Sequence, residues 1–199
     1  MLRIMKFPVA AMLMAAPLCL QAQTTSPPMT PPQRTAMDPA MTMATPAVGA
    51  MAPDFTAQGA NQTGPQTVSL HALRGQVVVL AFYPLDRSGG CTAELTKFRD
   101  EYSKIFGSGV TVLPISEDSV GSHVGWAHDA HFPFTLISDN GGKIANEYGS
   151  MMTGRPYASR TVFVIGKDGR IVHTDMRFGA LDQHAYDALT DAVAKAKSE

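Results

Sequence analysis

Cysteine is scarce in this sequence: its 199 residues include two cysteines, Cys19 and Cys91. Cys19 lies in an amino-terminal apolar stretch that we expect to be removed, so Cys91 is expected to be the only cysteine of the mature chain. A lone cysteine cannot form a disulfide within its own chain. The absence of a Cys-x-x-Cys pair argues against a thiol–disulfide exchange enzyme. Any thiol chemistry of Cys91 must therefore involve a second molecule.

An excess of charge of one sign is also absent. The chain has 16 lysines and arginines against 17 aspartates and glutamates, and its formal net charge is −1. This balance gives no support to a nucleic-acid-binding surface, so we expect no nucleic-acid partner. Internal repeats are not evident. Once both ends are set aside, about 150 residues remain, which suits one domain with a single hydrophobic core.

The amino terminus has the pattern of a secretory signal peptide. Arg3 and Lys6 give a basic start, residues 7–20 are mostly apolar, and a cleavage site follows Ala22. The apolar stretch is too short and too interrupted by proline for a stable transmembrane helix. We therefore expect residues 1–22 to be removed on export, with the bacterial periplasm as the destination.

Residues 23–47 form a segment rich in proline, threonine, alanine and methionine. Such a composition cannot build a packed core, so we expect an extended or disordered linker. Five methionines lie within or beside it: Met29, Met37, Met41, Met43 and Met51. Thioethers can bind Cu(I) in an exported protein. Chance composition or sacrificial oxidation is the simpler explanation of the methionines, and we prefer it to copper binding.

Residues 48–199 alternate between strand and helix patterns. The predicted strands are 68–70, 77–83, 110–115, 134–137, 161–165 and 171–174. The predicted helices are 92–106, 120–131, 143–148 and 182–196, and 167–169 is a hairpin turn. This order predicts an α/β domain of thioredoxin-like fold, with a central mixed β-sheet flanked by helices on both faces.

Cys91 lies where a buried strand gives way to a helix. The strand ends at Pro84 and the Gly89-Gly90 pair, and the helical pattern runs on from Cys91. A thiol in the first turn of a helix faces unpaired N–H groups and the positive end of the dipole, which favour the nucleophilic thiolate. An inert buried cysteine is the alternative. Such a cysteine would more naturally lie within the strand or on an apolar helix face.

The sequence around Cys91 resembles that of a known family. Pro84-x-x-x-Ser88-x-x-Cys91 is similar to the peroxiredoxin signature of proline, three residues, threonine or serine, two residues and cysteine. Further segments recur in the family's order: 52–55, 68–70, 73–75, 98–100, 115–116, 132–134, 138–139, 159–165 and 167–169. The resemblance runs from about residue 48 almost to the end. The chain is identified as a member of the peroxiredoxins (AhpC/TSA superfamily), and it most resembles the bacterioferritin-comigratory, or Q-type, subgroup.

The resemblance implies a thiol-dependent peroxidase that reduces hydrogen peroxide or small organic hydroperoxides. Attack by the Cys91 thiolate leaves a sulfenic acid, while negative charge grows on the departing oxygen, where fixed donors lower the barrier. By the same resemblance, Ser88 would hydrogen-bond the thiolate and the peroxide, and Arg160 would pair with both. Pro84 would shield the sulfur from water. No cofactor and no metal is implied. Without the family pattern, these three residues would be a helix cap, a solvated charge and a loop proline.

Two positions depart from the family's pattern. Ser88 stands where threonine is usual; it keeps the hydroxyl but loses the methyl group that restricts its rotamer. Thr96 stands where many Q-type members carry a resolving cysteine. We therefore expect a one-cysteine cycle, completed by an external thiol or a thioredoxin-like reductant, in a monomer or weak dimer.

Two other interpretations concern metals. The first is an exported thioredoxin-fold copper carrier that uses Cys91 and the methionines as soft ligands. The second places a metal on the predicted second helix, where His123, His128 and His131 lie and Asp129 is adjacent. We prefer solvated histidines on that helix, because no cluster completes a four-ligand site. Trp126, the only tryptophan, is predicted to lie in the core.

Overall fold

The computed structural model describes residues 45–199. The predicted signal peptide, almost all of the predicted linker and four of the five linker methionines lie outside the described residues. The strands are β1 (Thr56–Asn61), β2 (Gly64–Ser69), β3 (Val77–Phe82), β4 (Val110–Ser116), β5 (Leu136–Ser138), β6 (Thr161–Ile165) and β7 (Ile171–Asp175). The α-helices are α1 (Gly89–Asp100), α2 (Tyr102–Ile105), α3 (Val120–Asp129), α4 (Lys143–Glu147) and α5 (Gln183–Ser198).

The strands form one mixed sheet of seven strands in the order β2-β1-β5-β4-β3-β6-β7. β3 is parallel to β4 and antiparallel to β6, while β4 is parallel to β5. β1 joins β5 in the antiparallel sense, and β6 and β7 form an antiparallel pair at the opposite edge. The prediction of an α/β domain with a central mixed sheet is confirmed.

β3 is the centre of the core, and all six of its residues are buried. Alternate side chains of a strand point to opposite faces of the sheet. Val77, Val79 and Ala81 pack in the layer that holds α1, α3 and α5. Val78, Leu80 and Phe82 pack in the other layer, which holds α4. A strand that is covered on both faces has a continuous apolar sequence, and this is why the sequence pattern predicted β3.

All six predicted strands and all four predicted helical segments are present, with bounds that shift by a few residues. β1 was not predicted, because its sequence Thr-Ala-Gln-Gly-Ala-Asn has no apolar run. Its Gly59 allows a close approach to β5, since a Cβ there would lie 2.4 Å from the Leu136 carbonyl oxygen. The predicted helix 92–106 begins at Gly89 instead, and the chain leaves helical geometry at Glu101, which divides it into α1 and α2.

The predicted hairpin turn at 167–169 is present between β6 and β7. Gly169 has a φ of +82°, a conformation that side chains other than glycine rarely adopt. Arg74 closes over this turn by donating to the Asp168 carbonyl oxygen at 2.7 Å. Among residues 45–199, no helix has the length and apolar character needed to cross a membrane.

Candidate active site

Cys91 lies at the start of α1, where the chain has just left the central strand. The helix begins at Gly89, so Cys91 is its third residue, and it is 0% exposed. The N–H groups of a first helical turn have no partners within the helix and form the positive end of its dipole. Both features stabilise negative charge at this position, as a nucleophilic sulfur requires.

Arg160 reaches Cys91 from the neighbouring strand. β6 pairs with β3 so that Thr161 lies opposite Phe82, which puts Arg160 beside the end of β3 where α1 begins. Its Nη2 lies 3.5 Å from the Cys91 Sγ. Gly90 leaves room for this approach, because a Cβ there would lie 3.0 Å from the same nitrogen. The guanidinium therefore places a positive charge and free N–H donors next to the sulfur.

Glu94 holds Arg160 in place from one turn further along α1. Its Oε2 accepts a hydrogen bond from Arg160 Nη1, and its side chain is 0% exposed. Burial raises the pKa of Glu94, the charge and hydrogen bond of Arg160 lower it, and the net value is about 7. Burial lowers the pKa of Arg160, but Glu94 and Cys91 more than offset this, so its net pKa lies above the usual value. Arg160 thus stays cationic beside the sulfur.

The sequence pattern did not single out Glu94. The buried residues of α1 are Cys91, Glu94, Leu95 and Phe98, so the carboxylate lies on the apolar face of the helix. A carboxylate is costly to bury unless a partner compensates it. An acidic residue on an apolar face, one turn after a reactive cysteine, was the signal that could have identified it.

Replacing Glu94 with glutamine will change how stability depends on pH. The folded-state pKa of about 7 exceeds the ordinary 4.5, so the folded chain keeps this proton where the unfolded chain loses it. Glu94 therefore makes the wild type less stable as pH rises from about 4.5 to about 7, by at most about 1.4 kcal/mol per pH unit. We expect urea denaturation at a series of pH values to show a flatter slope for Glu94→Gln.

Glu147→Gln, a change on α4 in the opposite layer, is the matched control and should keep the wild-type slope. Identical slopes for Glu94→Gln and the wild type over this range would show that Glu94 does not titrate there.

Ser88 and Pro84 occupy the loop between β3 and α1. Ser88 immediately precedes the helix, with extended backbone angles of φ −69° and ψ 151°. Its carbonyl accepts from the Thr92 N–H at 2.8 Å, but its side chain makes no capping hydrogen bond. The helix therefore does not use the Ser88 hydroxyl. Pro84 follows β3 by two residues and is partly buried.

Thr96, where many Q-type members have a resolving cysteine, lies on α1 and is partly buried. Within residues 45–199, Cys91 is the one cysteine, and its thiol is free. The described part of the chain therefore offers no second sulfur with which an oxidised Cys91 could condense.

The prediction of solvated histidines on the second helix is wrong for His123. This side chain is 0% exposed and lies 2.9 Å from the Asp86 carboxylate, which compensates its burial. His128 is 73% exposed, and His131 lies beyond the end of α3 with a φ of +52°. Trp126 is buried in the core as predicted. Residues 45–199 contain no group of three or more histidine, cysteine, aspartate or glutamate residues arranged to hold a metal.

Comparisons of the sequence with known proteins agree on one family. The sequence pattern of the AhpC/TSA family matches residues 48–174. A Coxiella burnetii protein described as peroxiredoxin bcp is 40% identical over an alignment of 130 residues, which covers 62% of this chain and 84% of that protein. The chloroplastic peroxiredoxin Q of Triticum aestivum is 41% identical over 123 residues, which are 61% of this chain and 55% of that protein.

Solved structures show the same architecture. The crystal structure of a cysteine-to-serine mutant of Xylella fastidiosa PrxQ is 25% identical, with a TM-score of 0.67 over 77% of this chain and 98% of that one. Enterococcus faecalis AhpC is 20% identical, with a TM-score of 0.68 over 77% of this chain and 93% of that one, which shows a shared fold. The predicted thioredoxin-like fold is confirmed by these likenesses. With the family pattern covering most of the described domain, the chain belongs to the AhpC/TSA family, and it is a peroxiredoxin, a thiol-dependent peroxidase.

Proposed function

We propose that this peroxiredoxin reduces hydrogen peroxide and small organic hydroperoxides in antioxidant defence, through a cycle that uses Cys91 alone. One observation carries the proposal. The free thiol of Cys91 lies in the first turn of α1 with the Arg160 guanidinium 3.5 Å from its sulfur. A partly buried cation and a helix N-terminus at one sulfur are what a thiolate nucleophile needs.

In the oxidation step the Cys91 thiolate attacks one oxygen of the peroxide. A sulfur–oxygen bond forms as the oxygen–oxygen bond breaks, and the second oxygen leaves as hydroxide or alkoxide, which takes up a proton. We assign Arg160 and the Ser88 hydroxyl as donors to the peroxide, because negative charge grows there during attack. We assign Pro84 to shield the sulfur from water. The copper-carrier alternative finds no support in the comparisons with known proteins.

Arg160→Lys will slow Cys91 oxidation by roughly ten- to a hundredfold. Lysine keeps the charge but lacks the planar fork that can donate to the sulfur, the peroxide and Glu94 together. Stopped-flow rates of Cys91 oxidation, measured across pH, should be lower than those of the wild type throughout. Arg170→Lys, at an arginine whose side chain is 53% exposed, is the matched control and should leave the rates unchanged. Superimposable profiles for Arg160→Lys and the wild type would make Arg160 structural.

The sulfenic acid must then be reduced from outside the chain. An external thiol would attack Cys91, form a mixed disulfide and release water, and a second thiol would free Cys91. We propose a small thiol or a thioredoxin-like protein as this reductant, and a monomer or weak dimer as the working form. Because Cys91 is 0% exposed, the groups that cover its sulfur must move before the attacking thiol can reach it.

We further propose export to the bacterial periplasm and a folded domain that spans residues 48–199. The basic start, the apolar stretch and the cleavage site after Ala22 support export. Cell fractionation of the expressing bacterium tests this. A mature chain that begins at Gln23 in the periplasmic fraction is expected, and an uncleaved cytoplasmic chain would contradict it.

A further inference from the structure

A buried carboxylate lies in the loop between β3 and α1, and the oxidation step does not use it. Asp86 is 8% exposed. Its Oδ1 accepts from the Tyr83 hydroxyl at 2.7 Å, and its Oδ2 accepts from the Ser122 hydroxyl at 2.6 Å and lies 2.9 Å from His123 Nδ1. Its backbone N–H donates to Asp118 Oδ2 at 2.8 Å. Both carboxylate oxygens are therefore engaged, and three elements converge on this residue.

His123 is the partner that joins this loop to the sheet. Its Nδ1 faces the Asp86 carboxylate, and its Nε2 lies 3.2 Å from the Ile137 carbonyl oxygen of β5. Each ring nitrogen of His123 therefore lies within hydrogen-bond distance of an oxygen. Burial raises the pKa of Asp86, but the hydrogen bond and charge of His123, with Ser122 and Tyr83, lower it below its usual value. Asp86 and His123 thus form a buried pair of polar side chains within hydrogen-bond distance of each other.

The loop that this pair holds continues into the first turn of α1, which contains Cys91. Asp86 is two residues before Ser88, whose carbonyl accepts the Thr92 N–H at 2.8 Å in the first turn of α1. Between them, Arg87 has a φ of +58°, a conformation that costs energy for a side chain other than glycine. A loop with such a backbone keeps its shape only if its surroundings hold it there.

A second link between the loop and α3 lies on the surface. Arg87 Nη2 is 2.8 Å from Asp129 Oδ2, but the two side chains are 50% and 59% exposed. Exposed ion pairs contribute little, because water competes for both charges. Removing one member of a buried pair, in contrast, leaves the other charge uncompensated. The Asp86–His123 pair is therefore the stronger of the two links.

We propose that the Asp86–His123 pair, together with the Ser122 hydroxyl that donates to Asp86, is the positioning device of the Cys91 site: it fixes the loop against α3 and β5 and so keeps Ser88 and the first turn of α1 in the geometry that oxidation requires. None of these residues touches the peroxide. The proposal rests on the proposed function, in that Cys91 is taken as the thiol that peroxide oxidises. Loosening the pair should slow oxidation even while the chain remains folded.

Two variants of the full chain test this proposal. His123→Gln replaces two ring nitrogens that face different oxygens with a single amide nitrogen. Ser122→Ala removes the hydroxyl that donates to Asp86 and keeps the contact with His123, so it weakens the device without abolishing it. The first readout is the rate at which hydrogen peroxide oxidises reduced Cys91 in a single turnover. The second is hydrogen exchange at the Thr92 amide, compared with the Val79 amide in the central strand.

Two control variants separate positioning from a general loss of stability. His128→Gln makes the same change at an exposed position of α3. Tyr148→Phe removes a buried hydroxyl that donates to the Pro53 carbonyl at 2.7 Å, in the layer away from Cys91. Urea denaturation establishes that each variant is folded under the assay conditions. Both controls should be oxidised at the wild-type rate and should keep Thr92 protected.

We expect His123→Gln to be oxidised at least tenfold more slowly and Ser122→Ala severalfold more slowly. In both, Thr92 should exchange faster while Val79 does not. Wild-type oxidation rates and unchanged Thr92 exchange in His123→Gln would overturn the proposal. If His123→Gln does not fold, the same results in Ser122→Ala would overturn it. A wild-type chain that peroxide does not oxidise at Cys91 would instead contradict the proposed function itself.

Discussion

Cys91→Ser will lose peroxide turnover by a factor on the order of a thousand or more. A serine hydroxyl is hardly ionised near neutral pH, so the chain keeps its shape at this position but lacks a nucleophile. The peroxide consumption of the variant, assayed with excess thiol, should match the uncatalysed rate. Because Cys91 is packed in the core layer of α1, urea denaturation must accompany the assay to show that the variant is folded.

Cys19→Ser is the matched control for this result. It makes the same change at the only other cysteine of the chain, which we expect to be removed with the signal peptide. Peroxidase activity should be unchanged. A folded Cys91→Ser variant with wild-type activity would refute the assignment of Cys91, and activity lost in Cys19→Ser would refute the one-cysteine cycle.

Without an added thiol, each chain will consume one equivalent of peroxide in forming the sulfenic acid and about one more in oxidising it to the sulfinic state, and consumption will then stop. The first turnover converts Cys91 to a sulfenic acid, and the described residues contain no second cysteine that could condense with it. Further peroxide should drive the sulfur to the sulfinic state, which ends activity. The measurement is peroxide consumed per chain, with and without thiol, followed by the intact mass of the protein.

Limiting amounts of thiol provide the second half of this prediction. A mixed disulfide between Cys91 and the added thiol should accumulate, and a further equivalent of thiol should release it. Sustained turnover in the complete absence of thiol would contradict the proposed cycle.

The fold was predictable because its central strands have continuous apolar sequences. β3 and β6 are buried on both faces, so every residue in them is apolar or small, and their ends are marked by proline and charged residues. The polar strand β1, which lies between β2 and β5, gave no such signal. β1 forms because its backbone hydrogen-bonds to β2 and β5. Backbone pairing does not require an apolar side-chain pattern, so the sequence did not predict this strand.

The candidate site was predictable only in part. The resemblance to a family singled out Cys91, Ser88, Pro84 and Arg160, and the structure brings Arg160 to Cys91 through the pairing of β3 with β6. The buried polar partners were missed. Glu94 needs Arg160, 66 residues away, and His123 needs Asp86, 37 residues away, so neither partner is visible in a local pattern.

Rapid trapping of Cys91 after one equivalent of peroxide tests the central claim most directly. Reduced wild-type protein is mixed with peroxide in the presence of a reagent that captures sulfenic acids, and intact mass and peptide mapping follow. The account predicts one adduct per chain, located at Cys91, and none in Cys91→Ser. A chain that has lost two hydrogens without adding oxygen or an adduct, or one that remains fully reduced, would contradict it.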